Sequence, residues 1–253
     1  MKLQVENLSF SYGQKEILDS VSFSVERGEF VSLLGANGEG KTTLFRSILG
    51  FITPSKGTVS IDSRNLKDIP LKERAKLIAY IPQESKQTFD YSVKNTVLMG
   101  LTPHLSSMSM PSKADEEKVL QALDDFDILK LKDKSINAIS GGERQLALTS
   151  RAIVQNAGLL IFDEPTSSLD YGNGIKVLKK IQELTTKGFG AIVSTHNIEQ
   201  ALNYSTRLLL LKDRHIVFNG SSDELLETDI LKTFYSIPLK VEKYSNRFVI
   251  TEA

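Results

Sequence analysis

The sequence predicts an α/β fold with a mostly parallel sheet covered by helices. Three observations carry this reading. Short apolar strand segments alternate with helical segments along most of the chain. Residues 159–162, Leu-Leu-Ile-Phe, form a continuous apolar run, as expected of a strand buried on both faces. Residues 30–34 are apolar and run into a glycine-rich loop that opens a helix.

Residues 21–25 and 30–34 are rich in apolar and β-branched side chains and read as strands. Residues 41–49 then have helical spacing. Residues 57–61 and 77–81 are further strand candidates, the second broken by Pro82. Strand signals then become scarce. Residues 93–99, 114–124 and 143–155 have helical spacing, so the stretch from about 87 to 156 is expected to be an inserted helical lobe. Residues 174–184 read as a helix, 190–194 as a strand and 198–202 as a helix. Residues 208–211 and 216–218 are expected to form a final hairpin. The tail beyond Ile237 is too short for a separate regulatory domain.

Length and composition narrow the options. The chain has 253 residues, which suits one large domain or one domain with an inserted lobe. Lys and Arg total 31, as do Asp and Glu, so the formal net charge is zero. That balance gives no support for nucleic-acid binding, which usually needs a basic excess. With no cysteine, structural disulfides and thiolate metal sites are excluded. The N-terminal segment lacks the apolar core of a signal peptide. The longest apolar runs are too short to cross a bilayer, so at a membrane another chain is expected to supply the span.

Gly35, Ala36, Asn37, Gly38, Glu39, Gly40, Lys41 and Thr42 match G-x-x-x-x-G-K-[ST]. Glycines let backbone N–H groups turn inward onto phosphate oxygens, and the helix opening at Lys41 adds its positive end. Lys41 is placed to reach the β- and γ-phosphates, Thr42 to bind Mg2+ through its hydroxyl, and Thr43 to reach the α-phosphate. The bland reading is a glycine-rich turn before a helix. Glu39 is out of character, a carboxylate in a loop that holds anions, and its side chain is expected to point to solvent.

Asp163 and Glu164 end the apolar run at 159–162. Acids at the C-terminal end of a sheet strand stand where α/β folds bind ligands. Asp163 suits Mg2+, directly or through water, and Glu164 suits orienting an attacking water. The alternative is a surface turn, since Asp-Glu-Pro commonly opens a loop. Further on, Ser140, Gly141, Gly142 and Glu143 precede a helix, with Ser140 and Glu143 at capping-box spacing. Either this is only a well-capped helix, or its glycines expose helix N-terminal N–H groups to a second face of a nucleotide.

Taken in order, these motifs resemble those of ABC-transporter ATPase subunits, over almost the whole chain. Ile139-Ser140-Gly141-Gly142-Glu143 is similar to the family's L-S-G-G-Q signature, with Ile for Leu and Glu for Gln. Tyr12 matches the adenine-stacking aromatic, although a lone Tyr12 would more often be a packed strand residue. Residues 35–43 match Walker A, and Gln83 matches the Q-loop glutamine that contacts Mg2+. Asp163 and Glu164 match Walker B and the catalytic carboxylate. Asp170 matches the D-loop, and His196 matches the switch histidine at the γ-phosphate.

The resemblance implies a P-loop NTPase (RecA-like) core, residues 1–86 and 157–253, with an N-terminal antiparallel β subdomain and an inserted helical signature subdomain, residues 87–156. It implies Mg2+ with ATP, hydrolysed in a head-to-tail dimer in which Ser140 to Glu143 of one copy complete the site of the other. It also implies integral-membrane permease subunits as partners, and so a peripheral position at the cytoplasmic face of the membrane. An extracytoplasmic substrate-binding protein would be an indirect partner. Residues 84–91, with Phe89 and Tyr91, either line the permease groove or pack inside the lobe. Residues 89–93, 97–100, 169–173 and 234–238 resemble the importer branch for iron–siderophore, haem and cobalamin cargo. Importers of molybdate-type oxyanions or other small solutes, and ABC ATPases that act without a permease, share the remaining motifs.

Overall fold

The structure is a computed structural model that describes residues 1–83, 90–106, 110–236, 239–245 and 247–252. The chain forms two compact units, one of residues 1–68 and 182–253, the other of residues 69–181. Of the segments singled out above, residues 84–89 with Phe89, and Ile237 and Pro238, lie outside the described residues.

The first unit opens with β1 (Lys2–Tyr12) and β2 (Lys15–Glu26), an antiparallel pair. Leu3, Val5 and Leu8 of β1 and Val21, Phe23 and Val25 of β2 point into the core. β3 (Phe30–Leu34) follows and is buried along its whole length, as its unbroken apolar run demands. α1 (Lys41–Ile48) then leads to β4 (Lys56–Ile61) and β5 (Arg64–Asn65). β2, β1, β4 and β5 form one antiparallel sheet in that order. β1 was hidden from the sequence because its register shifts between Val5 and Leu8, and again beyond it, which breaks the two-residue alternation.

The second unit contains α2 (Leu71–Leu77), β6 (Ile78–Ile81), α3 (Val93–Leu98), α4 (Lys113–Asp124), α5 (Gly141–Gln155) and β7 (Leu159–Asp163). Leu77 closes α2 and does not start the strand. β6 and β7 pair in parallel, with Ile81 opposite Phe162. The helices are tied by polar contacts as well as apolar ones. Ser150 on α5 donates to the Ala122 carbonyl of α4 at 2.9 Å, and Lys94 pairs with Glu116 at 2.8 Å. Gly100 lies so close to α5 that a Cβ there would stand 2.3 Å from the Arg151 carbonyl oxygen. α6 (Tyr171–Thr186) carries the chain out of this unit.

Back in the first unit come β8 (Gly190–Thr195), α7 (Ile198–Tyr204), β9 (Arg207–Lys212), β10 (His215–Gly220), α8 (Ser222–Leu226), α9 (Ile230–Tyr235), β11 (Leu239–Tyr244) and β12 (Arg247–Glu252). β8 and β9 flank β3, both parallel to it, and β10 turns back antiparallel to β9. The β9–β10 hairpin is therefore real but not final. β11 and β12 form another. Phe248 of β12 is buried with Leu202, Leu225 and Leu231. The Asn203 side chain of α7 clamps β12, donating to the Phe248 carbonyl at 2.9 Å and accepting from its N–H at 3.0 Å.

Gly57 is a position where the backbone dictates the residue. Its φ is +81°, and a Cβ would lie 2.3 Å from the Glu6 carbonyl oxygen and 2.4 Å from that of Asn7. Gly57→Ala adds left-handed strain to a clash with β1 that only backbone movement relieves. The expected loss is about 2–4 kcal/mol, read as a lower denaturation midpoint. A loss below about 0.5 kcal/mol would mean that β1 yields freely at this contact.

Candidate functional site

The residues singled out in the sequence fall into two sets, one in each unit. In the first unit, β3 ends at Leu34 and the glycine loop follows. A Cβ on Gly35 would stand 3.0 Å from the Leu211 carbonyl oxygen, so a side chain there would press on the backbone of β9. Gly38 and Gly40 have φ of +92° and +102°, in the left-handed region that glycine alone enters at little cost. Gly40 caps α1 with no side-chain hydrogen bond, so the N–H groups of the first turn are not taken by a capping side chain.

Lys41 is only 6% exposed. Its ammonium donates to the Gly35 carbonyl at 2.6 Å and the Ala36 carbonyl at 3.3 Å, so the cation sits within its own loop. Thr42 is exposed and Thr43 buried. Glu39 departs from expectation. It is half-buried, and its Oε2 accepts from the Asp213 N–H at 2.9 Å instead of pointing to solvent.

His196 follows β8 and lines a cavity of about 80 Å3 with Gly35, Ala36, Glu39, Phe234 and Tyr235. The next residue, Asn197, caps α7 by accepting from the Gln200 N–H at 3.0 Å. Burial pushes the Tyr235 hydroxyl up to about 12. Tyr12 is 47% exposed at the end of β1, its ring edge-on to Phe10 at 4.8 Å. It is therefore not a fully packed strand aromatic.

In the second unit, β7 delivers Asp163 and Glu164, which are 3% and 8% exposed. Glu164 has φ +48°, an uncommon conformation for a residue with a side chain. Its carbonyl accepts from both the N–H and the hydroxyl of Ser167, at 3.2 and 2.9 Å. The Gln83 amide nitrogen donates to Glu164 Oε2 at 3.2 Å. Tyr80 of β6 donates its hydroxyl to Asp163 Oδ2 at 3.4 Å. The sequence reading missed Tyr80. The available signal was an aromatic with a polar tip three residues before Gln83, on a strand whose partner was not yet known.

Ser140 caps α5 through a complete capping box with Glu143, as the spacing predicted. The Ser140 hydroxyl donates to Glu143 Oε2 at 2.9 Å and accepts from the Glu143 N–H at 3.2 Å. Hydrogen bonds from the Ser140 N–H and hydroxyl hold the Glu143 carboxyl below the usual carboxylate range. A Cβ on Gly141 would meet nothing within 4 Å, whereas one on Gly142 would lie 3.3 Å from the Leu169 side chain. Asp170 accepts from the Asn173 N–H at 2.9 Å and from its side-chain amide at 2.6 Å, and these bonds lower its pKa.

Among the described residues no helix is long and apolar enough to cross a membrane. The sequence profile of the ABC transporter family matches residues 18–167. The chain is 38% identical to a probable iron chelatin transport ATP-binding protein of Helicobacter pylori, over 99% of each chain. It is 33% identical to the hemin import ATP-binding protein HmuV of Pseudomonas aeruginosa, over 97% of this chain and 96% of that one. Its fold superposes with a TM-score of 0.83 on a metal-chelate type ABC transporter in an inward-facing conformation, at 29% identity, over 98% and 95% of the two chains. The glycine loop, the paired carboxylates and the capped helix α5 thus stand in a chain that belongs to the ABC transporter family, as an ATP-binding subunit whose ATPase activity is coupled to transport.

Proposed function

We propose that the chain energises the import of a metal chelate, with iron–siderophore, haem or cobalamin as the cargo class. Full-length similarity to iron-chelatin and hemin subunits supports that class. In this reading two copies associate head to tail around two ATP molecules, at the cytoplasmic face of permease subunits that an extracytoplasmic binding protein feeds.

The observation that carries the chemistry is the buried, strained Glu164 held by Gln83. Residues 35–43 hold the phosphates, with Lys41 at the β- and γ-phosphates and Thr43 at the α-phosphate. Tyr12 stacks on adenine. Glu164 orients and polarises the water and accepts its proton as the water oxygen bonds to the γ-phosphorus and the bond from that phosphorus to the β–γ bridging oxygen breaks, leaving ADP and phosphate. His196 contacts the γ-phosphate. Ser140, Gly141, Gly142 and Glu143 of the second copy close over it, with Asp170 beside them.

Thr42, Gln83 and Asp163 would hold Mg2+. All three offer oxygen donors, the set that a hard cation prefers, and Mg2+ commonly takes few protein ligands beside phosphate and water. The Gln83 nitrogen faces Glu164, so its carbonyl oxygen is the atom available to a cation. When bound, Mg2+ would neutralise charge developing on the phosphates.

The proposed domain division assigns residues 1–86 and 157–253 to the nucleotide-binding core and 87–156 to the signature subdomain.

Two substitutions test these roles. Glu164→Gln keeps the shape but not the base. It should bind ATP normally, lose turnover by about 10²–10⁴-fold and accumulate as an ATP-bound dimer on size exclusion. Wild-type turnover in this variant would remove Glu164 from its role. Tyr80→Phe takes a hydrogen bond from Asp163. It should raise the Mg2+ concentration for half-maximal ATPase by about two- to tenfold, and an unchanged Mg2+ dependence would leave Tyr80 as packing alone.

A further inference from the structure

Glu39 places a carboxylate within a loop read as holding polyphosphate, so its charge opposes the loop's work. Its position suggests what offsets that repulsion. Glu39 Oε2 accepts from the Asp213 N–H at 2.9 Å, across 174 residues of sequence. Asp213 and Arg214 form the β9–β10 turn, with φ of +48° and +75°. That turn is fixed in its own right. Arg214 pairs with Glu16 of β2 at 2.6 Å, and its carbonyl accepts from the Asp19 N–H at 3.0 Å. Lys212, at the start of the turn, donates to the Phe234 carbonyl of α9 at 3.2 Å.

The same stretch of β2 also meets the loop directly. A Cβ on Gly40 would lie 2.9 Å from the Ile17 side chain and 3.1 Å from that of Leu18. The loop thus rests on β2 at Gly40 and on the hairpin turn at Glu39, and the turn is itself bound to β2. The bracing closes on itself.

We infer that Glu39 is a positioning residue, a latch that uses its carboxylate to hold the phosphate loop in its binding shape against the β9–β10 turn. A loop already ordered does not spend binding free energy on being ordered. A charged acceptor makes the stronger hydrogen bond, at the expense of a negative charge near the phosphates. This inference rests on the reading of residues 35–43 as the ATP phosphate loop.

The latch and the charge separate cleanly by substitution. Glu39→Gln keeps an acceptor oxygen at the same reach and removes the charge. Glu39→Ala removes both. Glu39→Asp keeps the charge but falls one methylene short of Asp213. Equilibrium dialysis of Mg-ATP against the full-length chain should rank affinity as Gln at least equal to wild type, then Ala, then Asp. Ala should bind about three- to tenfold more weakly than Gln. The same ranking should appear in KM, with kcat changed less.

A result in which Ala and Gln tighten binding equally would show charge repulsion alone and overturn the latch. Identical affinities across the series would overturn it too. Lys41→Ala, measured alongside, keeps the two readings apart. If it binds Mg-ATP as wild type does, the assignment of the loop fails. If it loses binding while the Glu39 series follows charge alone, only the latch fails.

Discussion

Matched parallel strand ends do most of the positioning in this protein. In the first unit Leu34 of β3 lies opposite Thr195 of β8. The glycine loop and His196 therefore leave neighbouring strands at the same edge. In the second unit Ile81 of β6 lies opposite Phe162 of β7, and Gln83 and Glu164 emerge together in the same way. A slip of one residue would move one exit past the other by about 3.3 Å. The 3.2 Å bond between Gln83 and Glu164 would not survive that. Register is held by burial, since every residue of β3, β7 and β8 is buried. Side chains packed on both faces resist sliding, because each would have to leave a fitted position.

Where the strands end, polar groups take over. The chain turns sharply at Glu164, and the left-handed conformation there costs about 1–2 kcal/mol. Ser167 offsets part of it by giving both its N–H and its hydroxyl to the Glu164 carbonyl. Helix α5 uses a related economy. Its capping box satisfies first-turn groups through Ser140 and Glu143. The Ser140 proton is thereby committed to Glu143. The open space around Gly141 leaves the backbone there approachable.

What could be read from the sequence divides along physical lines. Features encoded within a few residues were legible. The unbroken apolar runs of β3 and β7 became fully buried strands. The S-x-x-E spacing became a capping box, and the strand–loop–helix order around Lys41 was found as expected. Features created by pairing distant segments were not legible. Tyr80 meets Asp163 across 83 residues, and only because β6 and β7 are neighbours. Glu39 meets Asp213 through a turn that local rules place but cannot aim. β1 escaped notice because its bulges interrupt alternation, and in the β11–β12 hairpin Phe248 is buried while Val241 and Ile250 pack only partly buried on the same cluster.

The electrostatics of the loop follow the same logic of local placement. The whole chain has no net charge, so attraction of an anion cannot come from a general positive field. It must come from single groups in fixed places. Lys41 is such a group, desolvated within the loop and supported by the neutral carbonyls of Gly35 and Ala36. Hydrogen bonds from a cation to anionic oxygens are roughly twice as strong as neutral ones. Within the same few residues, the one opposing charge, Glu39, is turned onto the Asp213 N–H. Attraction and repulsion are separated by side-chain direction, and direction is what the surrounding strands supply.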